Sequence, residues 1–215
     1  MSDTLESLQR ILKKKGLEVV GYFNPDRSDS VCPTIRTIIL IGTKEPHFWN
    51  IFKKSKENRE KKKNPLDRWS KKILQKIALN FDAKPFFPFE APFQPFIAWA
   101  KECNTMSSSP VGLLVHNKKG LFISFRGALG INEYIKSPNG LQDVCSSCEK
   151  PCLTVCPVNA LNQEGYDVAR CKDYLNTPDG KDCKDGCLVR RSCPVGRNLR
   201  QKEQSNFHMS AFLSE

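Results

Sequence analysis

Residues 144–161 read VCSSCEKPCLTVCPVNAL, and their four cysteines, Cys145, Cys148, Cys152 and Cys156, fall within twelve residues as C-x2-C-x3-C-x3-C-P. A tight loop of this kind can wrap three corners of a [4Fe-4S] cube, with thiolates converging from different sides. A fourth cysteine followed by proline, here Cys156-Pro157, turns away from the loop towards a second cube. The spacing departs by one residue from the commonest C-x2-C-x2-C-x3-C-P run. Downstream lie Cys171, Cys183, Cys187 and Cys193, the last in a second Cys-Pro pair with Pro194. The simplest exchange of the two Cys-Pro cysteines gives Cys145, Cys148, Cys152 and Cys193 to cluster 1, and Cys171, Cys183, Cys187 and Cys156 to cluster 2. Zinc also accepts four thiolates and favours C-x2-C pairs, so a zinc site in place of one or both clusters stays open as the rival reading.

Working outward, the chain has 215 residues and ten cysteines, of which only Cys32 and Cys103 precede residue 140. Those two read as ordinary buried or half-exposed thiols. Charge divides the chain at the same place: 24 basic against 13 acidic residues in 1–140, hence +11, and 10 against 10 in 141–215, hence zero. Hydrophobic content of 39% suffices for a core. The opening MSDTLESLQRILKKKG lacks the apolar region and small-residue cleavage site of a signal peptide. The longest apolar run, Thr37 to Gly42, is too short to span a bilayer. These features predict a cytoplasmic protein with no membrane partner, in which a reducing compartment turns the cysteines towards metal ligation rather than disulfides.

The periodicity of the N-terminal part predicts a helix over 4–15, a strand over GLEVVGYFN (16–24) and a strand buried on both faces over IRTIILI (35–41). The basic run KKSKENREKKK (53–63) reads as a solvated helix end or loop, with a docking patch for an acidic partner as the alternative. Residues 66–79 return to helical spacing, with Leu66, Trp69, Ile73 and Ile77 along one face. The segment PFFPFEAPFQP (85–95) carries too many prolines for a helix or central strand, and reads as an aromatic loop on the core or the wall of an apolar pocket. PFIAWA then restarts a helix. VGLLVHNKKGLFISFRGAL (111–129) reads as two strands joined by a turn at Asn117 to Gly120.

The order of motifs, SPVGLLVHNKKGLFISFRGALGINEY, then VCSSCEKPCLTVCPVNAL, DVARCKDYL and GCLVRRSCPVG, resembles the epoxyqueuosine reductase family over roughly residues 105–196. NPLDRWSKKI, the FFPF segment and the RRSCPVG ending are similar to a group of bacterial ferredoxin-like [4Fe-4S] proteins. The resemblance implies an N-terminal α/β domain related to flavin or corrinoid binders, followed by a two-cluster module that feeds it electrons. Where the reductases carry an acidic proton donor in a VDT-type motif, this chain has EAPFQ, with Glu90 the nearest acid. The longer members also carry a helical-repeat extension that grips transfer RNA, which does not follow the second cluster motif here, and their activity is not carried over.

The sequence thus predicts an α+β chain: a basic sheet-and-helix domain over 1–140, a two-cluster ferredoxin-like domain over 141–200 and a tail over 201–215. Its expected function is electron transport on two [4Fe-4S] clusters, with an acidic redox protein as partner. The alternative is an oxidoreductase whose clusters reduce a corrinoid or flavin in the N-terminal domain, lined by His116, Arg126 and Glu90. For His116 on an apolar strand, a structural role is the default. Nucleic acid is not expected as a partner, since no sequence-reading motif accompanies the positive charge.

Overall fold

The computed structural model describes residues 2–26, 33–140, 143–197, 199 and 201–214. Cys32 lies outside them. In chain order the elements are α1 (Asp3–Lys13), β1 (Leu17–Phe23), β2 (Thr37–Thr43), α2 (His47–Lys53), α3 (Lys56–Arg59), α4 (Pro65–Asn80), β3 (Lys84–Phe86), α5 (Phe96–Glu102), β4 (Met106–Ser108), β5 (Leu114–His116) and β6 (Phe125–Ile131). Two short strands, β7 (Leu161–Asn162) and β8 (Gly165–Tyr166), precede α6 (Val168–Leu175), α7 (Lys181–Lys184), α8 (Leu188–Ser192) and α9 (Lys202–Ser214). Among the described residues, no helix is long and apolar enough to cross a membrane.

The chain forms two compact units: Met1–Thr105 with Ser124–Leu141, and Met106–Ile123 with Gln142–Glu215. In the first, four antiparallel strands run in the order β1-β2-β6-β3. β2 is central, and Ile38, Ile39, Leu40 and Ile41 have no exposed surface, as the apolar run predicts. Each such side chain contributes on the order of 1.5–3 kcal/mol of hydrophobic stabilisation. Helix α1 lays Leu5, Leu8 and Leu12 into this core, and its N-terminus is capped by the Ser2 hydroxyl, which accepts from Leu5 N at 3.3 Å. In α4 the buried stripe is Leu66, Trp69, Ser70, Leu74, Ile77 and Ala78. Ile73, expected on that face, is only half-buried, and Leu74 takes the central place. Trp69 packs edge-on against Phe48 and Phe52 of α2, with ring centroids 5.6 and 5.8 Å apart.

The proline-rich segment contains one regular piece, β3, which pairs with β6 as an edge strand. An edge is where proline, lacking an N–H donor, is tolerated. The hairpin expected over 111–129 does not form. β5 pairs with β4 in the second unit, whereas β6 belongs to the first unit's sheet. The reason is local: His116 and Gly120 exchange both backbone hydrogen bonds, at 3.0 and 2.8 Å, and close the turn on itself. Residues 106–123, assigned by sequence to the N-terminal domain, therefore pack with the cysteine-rich region.

One buried hydroxyl ties the first unit's loops to its sheet. Thr37 Oγ1 donates to Glu133 O at 2.7 Å and accepts from Ile135 N at 2.9 Å and Asn24 Nδ2 at 3.2 Å. Thr37→Val keeps the shape and orphans these groups, so it should cost about 1–3 kcal/mol, read as a lower midpoint in urea unfolding. An unchanged midpoint would show that the network carries no stability.

Candidate metal centres

In the second unit, β4 and β5 form a short hairpin whose Val115, with Val111 and Leu121, packs in one apolar cluster with Cys152, Leu161, Val189 and Cys193. The cysteines are distributed over separate elements around it. Cys152 sits in a single 3-10 turn, Pro151–Leu153, and Cys171 lies within α6. Asp167 caps α6 by accepting from Arg170 N at 2.9 Å. Cys183 lies in α7, while Cys187 and Cys193 occupy the N-cap and C-cap positions of α8.

Two cavities result. The first is walled by Cys145, Cys148, Cys152 and Cys193 together with Val115, Leu121, Val144 and Val195. The second is walled by Cys156, Cys171, Cys183 and Cys187 together with Leu161, Tyr166, Leu175 and Met209. Among the described residues, no three His, Cys, Asp or Glu side chains close tightly enough to grip a single metal ion. The sulfurs stand around the cavity walls instead.

The electrostatics sort the thiols in the same way. Burial pushes the Cys145 thiol up to about 11, assisted by Asp143 and by Cys148, Cys152 and Cys193. Burial also raises Cys183, and Cys187, Cys156 and Cys171 add to the effect against an opposing backbone hydrogen bond from Leu188. Cys152 and Cys171 are raised by burial too, and both also feel members of their own quartet. Four thiolates crowded into a weakly hydrated cavity repel one another, so only a positively charged core makes their joint ionisation favourable.

Donors are in place for such sulfurs. Lys150 N donates to Cys148 Sγ at 3.3 Å, and Ala160 N to Cys156 Sγ at 3.2 Å. The Ser109 hydroxyl on the wall of the first cavity is buried without a hydrogen-bond partner among the described residues. An orphaned donor beside four soft sulfur ligands is what a bound iron-sulfur cluster would satisfy, so the residues present fit that group. Close packing fixes the first cavity further. Gly120 has φ +56°, and a Cβ there would lie 2.0 Å from Val195 O and 2.8 Å from Cys193 Sγ. Only glycine lets this turn approach the Cys-Pro segment.

Of the three residues expected around an organic cofactor, His116 belongs to the second unit, and Arg126 and Glu90 belong to the first. His116 is buried in the second unit, where its Nδ1 accepts from Lys118 N at 3.0 Å. Arg126 lies in the first unit's sheet, where its Nη1 pairs with Asp67 Oδ1 at 3.3 Å. Burial lowers its pKa, and Asp67 opposes that shift. Glu90 pairs with Lys71 at 2.6 Å and lines a cleft of about 1890 Å³ of space between atoms, part of it open to solvent. Its walls include Phe23, Gln75, Lys84, Phe86, Phe87, Gln94 and Trp99, so the aromatic proline-rich segment does form the wall of a pocket. Sequence reading alone did not single out Gln75, Lys84 or Trp99 for this cleft. Ser109 was missed as well, since an isolated serine carries no motif.

With this geometry in hand, the fold defines a class: a mixed helix-and-sheet unit with a cysteine-rich unit following it. No family model matches the chain, and no curated protein matches it. Solved structures do. An epoxyqueuosine reductase from Streptococcus thermophilus superposes with a TM-score of 0.54 at 18% identity, covering 93% of this chain and 67% of that one. A complex described as epoxyqueuosine reductase with a tRNA-Tyr epoxyqueuosine-modified tRNA stem loop gives 0.55 at 15% identity, covering 90% and 65%. A selenomethionine-labelled epoxyqueuosine reductase gives 0.51 at 16%, covering 90% and 66%. The chain thus shares the epoxyqueuosine reductase fold at distant similarity and spans about two thirds of the length of these proteins.

Cys103, the cysteine of the first unit among the described residues, belongs to neither quartet. Cys103 is buried against Gly21, where its Sγ donates to Trp99 O at 3.3 Å, and burial, with a smaller effect of Glu102, pushes its thiol up to about 12. In the unfolded chain a thiol ionises near its ordinary value of about 8.5. The stability contributed by the neutral buried thiol is therefore complete below about pH 8.5 and is lost as pH rises from there towards 12. Cys103→Ala should flatten the fall of the thermal midpoint between about pH 8.5 and 10.5. A slope identical to wild type would exclude Cys103 as its source.

Proposed function

We propose that the chain is an iron-sulfur electron-transfer protein whose two cysteine-walled cavities each hold a [4Fe-4S] cluster. The observation that carries this reading is the sorting of eight cysteines four and four, with the two Cys-Pro cysteines exchanged: Cys193 stands with Cys145, Cys148 and Cys152, and Cys156 with Cys171, Cys183 and Cys187. When bound, such clusters supply one-electron oxidation and reduction. The eight thiolates would hold them. The N–H groups of Lys150 and Ala160 would stabilise the charge on the sulfurs, and the apolar walls would exclude water. On this reading the region from about 141 to 200 is a two-cluster ferredoxin-like module, joined functionally by the 106–123 segment, and the protein works in the cytoplasm with an acidic redox protein as partner.

A second reading is favoured by the cleft lined by Phe86, Phe87, Trp99, Lys84 and Glu90, which is large enough for an organic cofactor. There the chain is a reductase whose clusters feed a corrinoid or flavin, as the family resemblance implies. A related fold has been captured with a tRNA stem loop, so the expectation against nucleic acid as a partner is withdrawn. The excess of basic over acidic residues in 1–140 is compatible with either an acidic protein or RNA.

Anaerobically purified protein should contain about eight iron and eight acid-labile sulfide per chain, four of each for each cube. Cys145→Ser and Cys183→Ser should each lose about half of the iron. Zinc without sulfide would overturn the cluster reading. A corrinoid or flavin spectrum in addition to the clusters would move the assignment to the reductase.

A further inference from the structure

Residues 53–76 hold eleven basic against three acidic residues, and so carry +8 of the chain's net +11. The first unit engages all three acids in ion pairs. Glu57, only 8% exposed, meets Lys72 Nζ at 2.9 Å, Glu60 meets Arg68 Nη1 at 2.8 Å, and Asp67 meets Arg126 Nη1 at 3.3 Å. Hydrogen bonds from Lys72 and Arg68 hold the Glu57 and Glu60 carboxyls below the usual carboxylate range. The cations beyond these pairs face solvent. Lys54, Arg59, Lys61, Lys63 and Lys76 are exposed and have no side-chain partner among the described residues. Lys56 and Lys62 reach Glu60 at 3.5 and 4.0 Å, yet their side chains stay 75% and 71% exposed.

The loop that carries these charges has a set shape. Arg68 reaches back from α4 with its whole guanidinium: Nε donates to Lys63 O at 3.1 Å, Nη2 to Glu57 O at 3.0 Å and Nη1 to Glu60 Oε2 at 2.8 Å. Asn58 Nδ2 donates to Lys53 O at 3.2 Å, and the Ser55 hydroxyl caps α3 by accepting from Asn58 N at 3.2 Å. Lys61 and Asn64 stand at φ +52° and +51°, left-handed conformations that a non-glycine residue keeps only where its surroundings determine them. A merely solvated run of charge needs no such brace. Lys72 and Lys76, one helical turn apart on α4, continue the positive strip.

We propose that residues 53–63, braced by Arg68, form with Lys72 and Lys76 a preorganised docking surface for a carboxylate-rich face of a partner protein. Lysines present compact point charges, which steer and orient an acidic surface without demanding one geometry from it. Residues 53–76 expose no aromatic side chain on which a nucleic-acid base could stack, and the forked guanidinium of Arg68 is turned on the loop's own backbone. The surface places the acidic partner of the electron-transfer reading on the first unit. That partner's redox role rests on that reading, and the docking surface itself does not.

The test measures binding of fluorescently labelled poly-L-glutamate to the full chain by anisotropy, at low and at physiological salt, with iron and sulfide determined on each sample. Wild type should bind, and more weakly as salt rises. Lys61→Glu/Lys62→Glu/Lys63→Glu should weaken binding at least about tenfold. The same change in net charge at the exposed end of α1, Lys13→Glu/Lys14→Glu/Lys15→Glu, should weaken it far less. Arg68→Lys keeps the charge but not the fork, and should weaken binding by a smaller factor than the loop triple. Equal losses in the two triple variants, or no binding by wild type, would overturn the docking surface, and an Arg68→Lys chain that binds as wild type does would overturn the bracing role. Tighter binding of an RNA hairpin of equal charge through Lys61, Lys62 and Lys63 would overturn the assignment to a protein. Wild type lacking sulfide would strike the cluster reading and leave the docking surface standing.

Discussion

Four thiolates will not share a small, poorly hydrated space unless something positive lies between them, and the second unit is arranged around two such spaces. Several of its regular elements are too short to hold a fold by their own hydrogen bonding: α7 has four residues, α8 five, and β7 and β8 two each. What gathers them is a small apolar cluster, Val111, Val115, Leu121, Leu161 and Val189, in which Cys152 and Cys193 are themselves members. Burial, with a smaller contribution from neighbouring sulfurs, raises these thiols, and on the proposed cluster reading the binding energy of a cluster would contribute to the folding of this unit.

The first unit is built on the opposite principle. Its central strand is wholly buried, its helices carry continuous apolar stripes, and an aromatic group of Phe48, Phe52 and Trp69 closes one side. The cleft lies along β3, the proline-rich stretch after it and α5. Rigid scaffold and irregular binding wall are thus supplied by adjacent pieces of one chain.

Much of this could be read from residue order. The unbroken apolar run at 38–41 announced a strand covered on both faces, and the paired Cys-Pro signals suggested the exchange of cysteines on which the proposed function rests. What escaped were arrangements set by contacts distant in sequence. Leu114–His116 and Phe125–Ile131 both have strand composition, yet the closed turn at His116 and Gly120 sends them to different sheets. Ile73 and Leu74 are both apolar, and only the packed structure shows that Leu74 is the one covered. Ser109 gains its meaning from a cavity that no local pattern announces.

Cys187 and Cys193 sit at the two ends of α8 and face different cavities. Five helical residues rise about 7.5 Å, and each added residue would turn the chain by about 100°. α8 therefore acts as a ruler whose length sets both the separation of the two sulfurs and their relative heading. The connection from Cys171 to Cys183, by contrast, returns to a single cavity through a loop and a 3-10 turn. Insertions and deletions in descendants of this sequence should accumulate in the second stretch and be purged from the first, although both look like unremarkable spacers between cysteines.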